Sequence, residues 1–502
     1  MFARAKAARQ RGPTKVGRCC RAALIALFST ATCSQAAPPD IDSISPLAIR
    51  RGVPTEITLS GSDLSEATQL WTSFPARLER VGEACFRITT DAPVGLGALR
   101  AFGSNGVSNF SFIMLDDLPT AAESKTNKTR AAAQSVEVGG AIDGRCDELG
   151  YDWFKLRANK GQQVSVETVA ARIGSKLDSV LRVMNAAGHE LARNDDAPGR
   201  SGDSYLNFTA PATGDYFIEV RDVNYGGGSS FFYRLRLGGS PLTSFTFLTS
   251  EPNASHVANE REPNDTAAKA TKVSLTNSVA GRFDKAEDRD CYEFTARKGE
   301  RLEFRAATRS LGSACDAILQ LDSIDGNRLA RSNPSAVDEG VLTYLFASNG
   351  TYRLTVEEAT GAFGSNLFYQ ISAKPAAGFS LSLDTDRVNV APGKSFELKV
   401  AIMQGDHKGA VVLGLADLPE TFVLTNNIIA NGKSNVTMRV TAPDTLAPGT
   451  WQSFSIVGSA KRDGRQVQVR ASTAPALRRQ LPQRIYPPPE LDGKVVLGVT
   501  TR

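Results

Sequence analysis

The segment Asp152-Trp153-Phe154, followed by Lys160-Gly161-Gln162, recurs 138 residues later as Asp290-Cys291-Tyr292 followed by Lys298-Gly299-Glu300. The same offset superposes Asp178 on Asp316 and Gly188 on Gly326. After a two-residue deletion the offset becomes 136, matching Gly214-Asp215-Tyr216 to Gly350-Thr351-Tyr352 and Tyr233 to Tyr369. A correspondence held over about 80 residues marks two copies of one structural unit, and both copies must satisfy the same fold.

Each copy is built of short runs in which apolar and polar residues alternate: QQVSVETV, SYLNFTAP and FFYRLRL in the first, RLEFRAAT, LTYLFAS and FYQISA in the second. Period-two alternation, broken by Gly, Asn and Asp turns at roughly ten-residue spacing, specifies short strands packed as an antiparallel sandwich. Residues 38–118 and 376–473 show the same patterning. A chain of 502 residues is several domains long, so the expected class is all-β, a tandem series of antiparallel β-sandwiches.

Residues 1–36 carry Arg4, Lys6, Arg9, Arg11, Lys15, Arg18 and Arg21 and no acidic residue, then the apolar stretch AALIALF and small residues at Ser34 and Ala36. These are the parts of a secretory signal peptide, with cleavage expected after Ala36. Cys33 offers a lipoprotein alternative, which Thr32 immediately before it disfavours. The remainder holds 51 Lys and Arg against 53 Asp and Glu, which removes the electrostatic case for a nucleic-acid partner. No later stretch of about 18 apolar residues occurs, so no membrane span is expected. The expected location is extracytoplasmic: secreted, periplasmic or at the cell surface. Beyond the leader four cysteines remain, Cys85, Cys146, Cys291 and Cys315; a local Cys291–Cys315 disulfide and free buried thiols both stay open.

The order SISPLAIRRGVPTEITLSGSDL … GLGALRAFGSNGVSNFSF in residues 38–118 resembles the IPT/TIG immunoglobulin-like family, which implies a spacer or binding module. The repeats share an Asp before an aromatic strand, then Lys-Gly-Gln/Glu, Leu-Asp or Cys-Asp, a hairpin Gly, and Gly-x-Tyr before a strand ending in an acid. This set resembles the bacterial pre-peptidase C-terminal (PPC) domain, most closely in SKLDSVLRVMNAAGHELARNDD … DYFIEVRD, and in EREPNDTAAKA at the start of the second copy. The expected division is a leader (1–36), the IPT/TIG-like domain (38–118), a linker (119–134), a first PPC-like domain (135–240), a linker (241–258), a second PPC-like domain (259–375), an immunoglobulin-like domain (376–473) and a Pro-rich tail (474–502), extended or lying as a strand on the surface.

The sharpest local chemistry is Glu260-Arg261-Glu262-Pro263-Asn264-Asp265, followed by Asp284, Asp288 and Asp290. Ca²⁺ takes six to eight hard oxygen ligands, and a carboxylate-rich loop supplies them without histidine. Resemblance to calcium-binding relatives, the collagen-binding modules of clostridial collagenases, implies ligand roles for Glu260, Glu262, Asn264 and Asp265, with Asp288 as the downstream partner and Asp284 or Asp290 in reserve. The competing reading is a turn and N-cap at Pro263-Asn264-Asp265 with the other acids solvated. The corresponding stretch 121–133 lacks the acidic cluster, so no equivalent site is expected in the first repeat. Asn194, Asp195, Asp196, Asp203 and Asp222 form a second acidic set that turn chemistry explains, and Asp178 and Asp316 read as turn caps.

No G-x-S-x-G, H-E-x-x-H or paired Cys and His is present. The three histidines are far apart: His189 reads as a hairpin residue, His407 as solvated, and His256 lies near the acidic cluster. Trp153 reads as core, and Tyr233, matched by Tyr369, as structural. No catalytic residue is assigned. The function expected is non-catalytic binding or adhesion to an extracellular protein or polysaccharide, with calcium as a candidate stabiliser. The alternatives are an accessory or targeting role for a secreted peptidase, and a ligand-free envelope spacer.

Overall fold

In strand Asp152–Ala158 every second side chain, from Asp152 through Phe154 and Leu156 to Ala158, is buried. Alternation of this kind sets one strand face on a core. The computed structural model describes residues 37–501 apart from 65–67, 240–241, 243–245, 248–256, 276–277, 334–338, 463 and 482–485. The expected leader with Cys33, and His256, lie outside the described residues.

The protein is a series of β-sandwiches. The first repeat has two five-stranded sheets. One runs Thr120–Ala122, Gly140–Arg145, Phe232–Gly238, Gln163–Val169, Tyr205–Thr209 in spatial order; the other runs Gln134–Ser135, Asp152–Ala158, Gly214–Asp222, Ser179–Asn185, Glu190–Asn194. The second repeat has the same order, with Val257–Asn259, Ser278–Arg282, Phe368–Pro375, Arg301–Ala307 and Val341–Leu345 facing Thr271–Lys272, Arg289–Ala296, Gly350–Glu358, Ala317–Ser323 and Arg328–Arg331. In all four sheets the opening strand pairs parallel to its neighbour and the rest pair antiparallel. Each repeat closes on its own core, the first around Phe154, Ile218 and Tyr233, the second around Phe294, Phe304 and Tyr369.

Three connecting segments do more than connect. The stretch expected as a linker at 119–134 supplies strand Thr120–Ala122 and the 3₁₀ turn Arg130–Ala132 to the first repeat. In the stretch expected as a linker at 241–258, Thr246–Phe247 pairs back onto Gly95–Gly103 of the first module and Val257–Asn259 opens the second repeat. The Pro-rich tail is neither extended nor superficial: Ala474–Gln480 is a helix, and Val495–Val499 lies between Arg387–Val390 and Trp451–Arg462 as an inner strand of the last module. Strands of two to five residues are too short to show a period, which is why the sequence pattern missed them.

The first and last modules meet. Leu477, Leu481 and Leu491 are buried in the core of the first module, Trp71 and Phe102 pack on Trp451, and Thr501 N donates to Ser104 O at 3.0 Å. Arg100 and Asp386, both 3% exposed, form an ion pair across this junction. A second buried charge network joins the first module to the first repeat. Arg234 Nε contacts Asp116 at 2.9 Å and its Nη1 contacts Asp143 at 2.8 Å. Arg236 contacts Asp116 at 3.1 Å and Glu167 at 2.6 Å, and Glu167 also accepts from Arg172 and Arg200. In FFYRLRL the polar positions therefore face another module and not water, and buried guanidinium groups with this many carboxylate partners satisfy the requirement that interior charges be paired.

Candidate cation site at the start of the second repeat

Glu260 follows directly on strand Val257–Asn259, and its Oε1 accepts from Arg282 N at 2.7 Å. Its Oε2 lies 3.2 Å from Tyr369 Oη and 3.3 Å from Tyr292 Oη. The two hydroxyls are 2.6 Å apart, and Tyr369 donates to Asp290 Oδ2 at 2.5 Å. Asp290 sits on the inward face of Arg289–Ala296 and is fully buried. A Cβ at Gly281 would collide with the Tyr369 hydroxyl and the Glu260 carboxylate, so glycine there is what lets these groups converge.

Glu260, Glu262 and Asp290 offer one oxygen each within 4.8 Å of one another. Two of them, Glu260 and Glu262, belong to the expected ligand set; the third is the reserve Asp290 in place of Asp288. Asn264 is fully buried beside them, its backbone N donating to Glu262 Oε2 at 3.2 Å and its backbone O accepting from Cys291 N at 3.1 Å. Asp265 instead pairs with Lys285 at 2.5 Å, and Asp288 faces the same ammonium at 3.6 Å while accepting from Asp284 N and Arg289 N. Asp284 pairs with Arg282. Asp288 stands at the turn, where its side chain folds back on local N–H groups; two residues on, the strand turns Asp290 inward.

The donor set is oxygen throughout, which suits a hard cation. Asp290 Oδ1 and Asn264 Oδ1 are buried and have no hydrogen-bond partner among the described residues. Burial, opposed by the Tyr369 hydrogen bond and reinforced by the charges of Glu260 and Asp288, pushes the Asp290 carboxyl up to about 8. A cation among these oxygens would relieve the cost of ionising it.

The other candidates resolve into local structure. Asp203 accepts from Ala170 N, Ala171 N and Arg172, and Asp222 accepts from Asp178 N, Asn224 N and Gly226 N, which is the turn chemistry expected of that acidic set. His189 is exposed in the hairpin between Ser179–Asn185 and Glu190–Asn194. His407 is not solvated: it is 6% exposed, its ring 5.2 Å from that of Phe379, because the aromatic face offers it a packing partner the turn-like sequence does not reveal. Trp153 is only half-buried, and Tyr233 is core. Cys85, Cys146, Cys291 and Cys315 are free thiols.

The family model of the bacterial pre-peptidase C-terminal domain matches residues 150–222, within the first repeat. The chain is 27% identical over 220 residues to a "probable subtilase-type serine protease" of Deinococcus radiodurans, covering 41% of this chain and 30% of that protein. The chain thus spans less than a third of the length of this relative. Among solved structures, Dpr2 Ig1-Ig2 in complex with DIP-Theta Ig1-Ig3 is 11% identical, covering 64% of this chain and 98% of that one at a TM-score of 0.14. The N-terminal eight Ig domains of Down Syndrome Cell Adhesion Molecule are 10% identical, covering 85% and 62% at a TM-score of 0.15. No helix among the described residues is long and apolar enough to cross a membrane.

Proposed function

We propose that this chain is an extracytoplasmic, non-catalytic binding protein, delivered by its N-terminal leader, that recognises an extracellular protein or polysaccharide. In this reading both repeats are PPC domains, residues 38–118 are an IPT/TIG-like module, and Ca²⁺ is held by Glu260, Glu262 and Asp290 with Asn264 at hand. The observation that carries it is the combination of a PPC match inside a run of β-sandwiches with an all-oxygen acid cluster that reaches from the exposed Glu262 to the buried Asp290.

The test is retention of the purified protein on immobilised polysaccharide and matrix-protein supports, with calcium and with chelator. Calcium-dependent retention supports the reading, and equal flow-through on every support overturns it. Similarity to the subtilase-type protease favours one second reading, an accessory module for a secreted peptidase. Specific capture of an active-site-inhibited subtilase, without retention on the other supports, would select it.

A further inference from the structure

The first repeat was not expected to own a counterpart of the acid cluster, yet the same positions converge there. Glu123 takes the place of Glu260: its Oε2 accepts from Arg145 N at 2.9 Å, as Glu260 does from Arg282 N. Asn127 takes the place of Asn264, its backbone O accepting from Trp153 N at 2.7 Å. Asp152 takes the place of Asp290, its Oδ2 accepting from Tyr233 Oη at 2.8 Å, as Asp290 Oδ2 does from Tyr369.

The difference lies in what meets the remaining carboxylate oxygens, since Asn127 Oδ1 and Asn264 Oδ1 are alike in having no hydrogen-bond partner among the described residues. In the first repeat the ammonium of Lys128 contacts Glu123 Oε1 at 2.9 Å, Asp147 Oδ2 at 3.0 Å and Asp152 Oδ1. The residue at this position in the second repeat is Asp265, and the position of Lys125 is held by Glu262. There the matching oxygen, Asp290 Oδ1, is buried without a hydrogen-bond partner among the described residues. Lys285 does not substitute for Lys128, because its ammonium sits between Asp265 and Asp288.

We infer that Lys128 is the resident cation of the first repeat, its ammonium standing where the second repeat takes a free divalent ion, so that the two copies solve one charge problem by different means. The second half of this statement rests on the calcium reading above; the first half does not. An ammonium is a compact point charge able to satisfy several carboxylates at once, as a bound ion does. It differs in being covalently attached, so the first repeat keeps its opening segment neutralised in a chelating medium and the second does not. Repeat one is therefore a latent ion site: it should accept a divalent ion once the lysine is removed and the acids of repeat two are supplied.

The experiment uses the full chain as wild type, K128M, K128R and K125E/K128D, each dialysed against chelator and then titrated calorimetrically with CaCl₂, with melting temperatures followed in parallel. The expected result is that K128M melts several degrees below wild type in chelator and regains part of the loss with calcium, while K128R stays near wild type. K125E/K128D should bind one equivalent of calcium more than wild type. A K128M protein that melts with wild type in chelator, or a folded K125E/K128D protein with no added site, overturns the inference. If wild type binds no calcium but K128M and K125E/K128D behave as stated, the lysine assignment stands and the calcium reading of repeat two fails. If wild type binds one equivalent and the variants add nothing, the reverse holds. Should K125E/K128D not fold, K128M decides: a larger calcium-induced rise in melting temperature than wild type supports the assignment, and an equal one overturns it.

Discussion

Arg100 and Asp386 stand 286 residues apart in the chain and 2.5 Å apart in the fold, an ion pair that joins the first module to the last. Arg100 lies over the Phe110 ring, 3.6 Å from its centroid, which leaves its charge little access to water. Breaking such a pair on one side strands a buried charge, at a cost of about 3–5 kcal/mol, whereas replacing both partners with apolar residues is often close to neutral. R100M should therefore lose most of that amount in urea denaturation, and R100M/D386L should recover much of it. Equal destabilisation in the single and double variants would show that the pair does not act as a unit.

The same carboxylate predicts a pH dependence. Burial works to raise the Asp386 pKa, but the charges of Arg100 and Arg387 outweigh it and hold the group below its ordinary value. A depressed folded-state pKa gives stability that is fully present above the unfolded value of about 3.9 and is lost as pH falls through the folded one. The stability difference between wild type and D386N should be constant from neutral pH to about pH 5 and shrink below about pH 4. Denaturation midpoints measured from pH 7 to pH 3 check this.

Glu167 is fully buried among Arg172, Arg200 and Arg236. E167Q removes the charge that all three share and should destabilise the protein by about 3–5 kcal/mol. The second repeat offers an internal control, since Gln370 and Ser372 occupy the positions of Arg234 and Arg236 and are only half-buried. S372A should stay within about 0.5 kcal/mol of wild type. Chemical denaturation of both variants decides whether the charged face matters only where another module covers it.

For the cation site, E260Q/D290N should abolish saturable calcium binding in a calorimetric titration, because two of the three converging carboxylates are lost. D265A should retain it, since Asp265 is engaged by Lys285. Binding lost in D265A and kept in E260Q/D290N would place the ion at the turn and not among the converging acids.

Leu497 is fully buried on an inner strand of the last module. L497A should cost about 2–5 kcal/mol through the cavity it leaves. Limited proteolysis of a chain ending at residue 493 should cut within residues 376–473, where the intact protein resists.

What was legible in the sequence follows the range of the signal. Alternation and the internal repeat act over tens of residues, so the sandwiches and the equivalence of Tyr233 and Tyr369 could be read. Glu260 and Glu262 were legible because they share one segment, while Asp290 could be placed only as a reserve: a choice between residues two apart on one strand is settled by the long-range partner, here Tyr369. Lys128 gave no signal, since a lysine among polar residues reads as solvated until Asp152 is brought to it from 24 residues away. The burial of Arg234 and Arg236 was not legible for a related reason. Alternation tells that a strand has two faces but not that another module covers the second.

The contact between the first and last modules also sets how the chain answers tension. A pull applied at residues 37 and 501 would load the junction held by Arg100, Asp386 and Trp451, while the two repeats lie between these points along the chain, tied to the end modules through Asp116 with Arg234 and Arg236, and through Arg301 with Asp406. A row of beads would share strain along its length. This chain would hold as a closed clasp and then, on yielding, pay out the length stored in its two repeats.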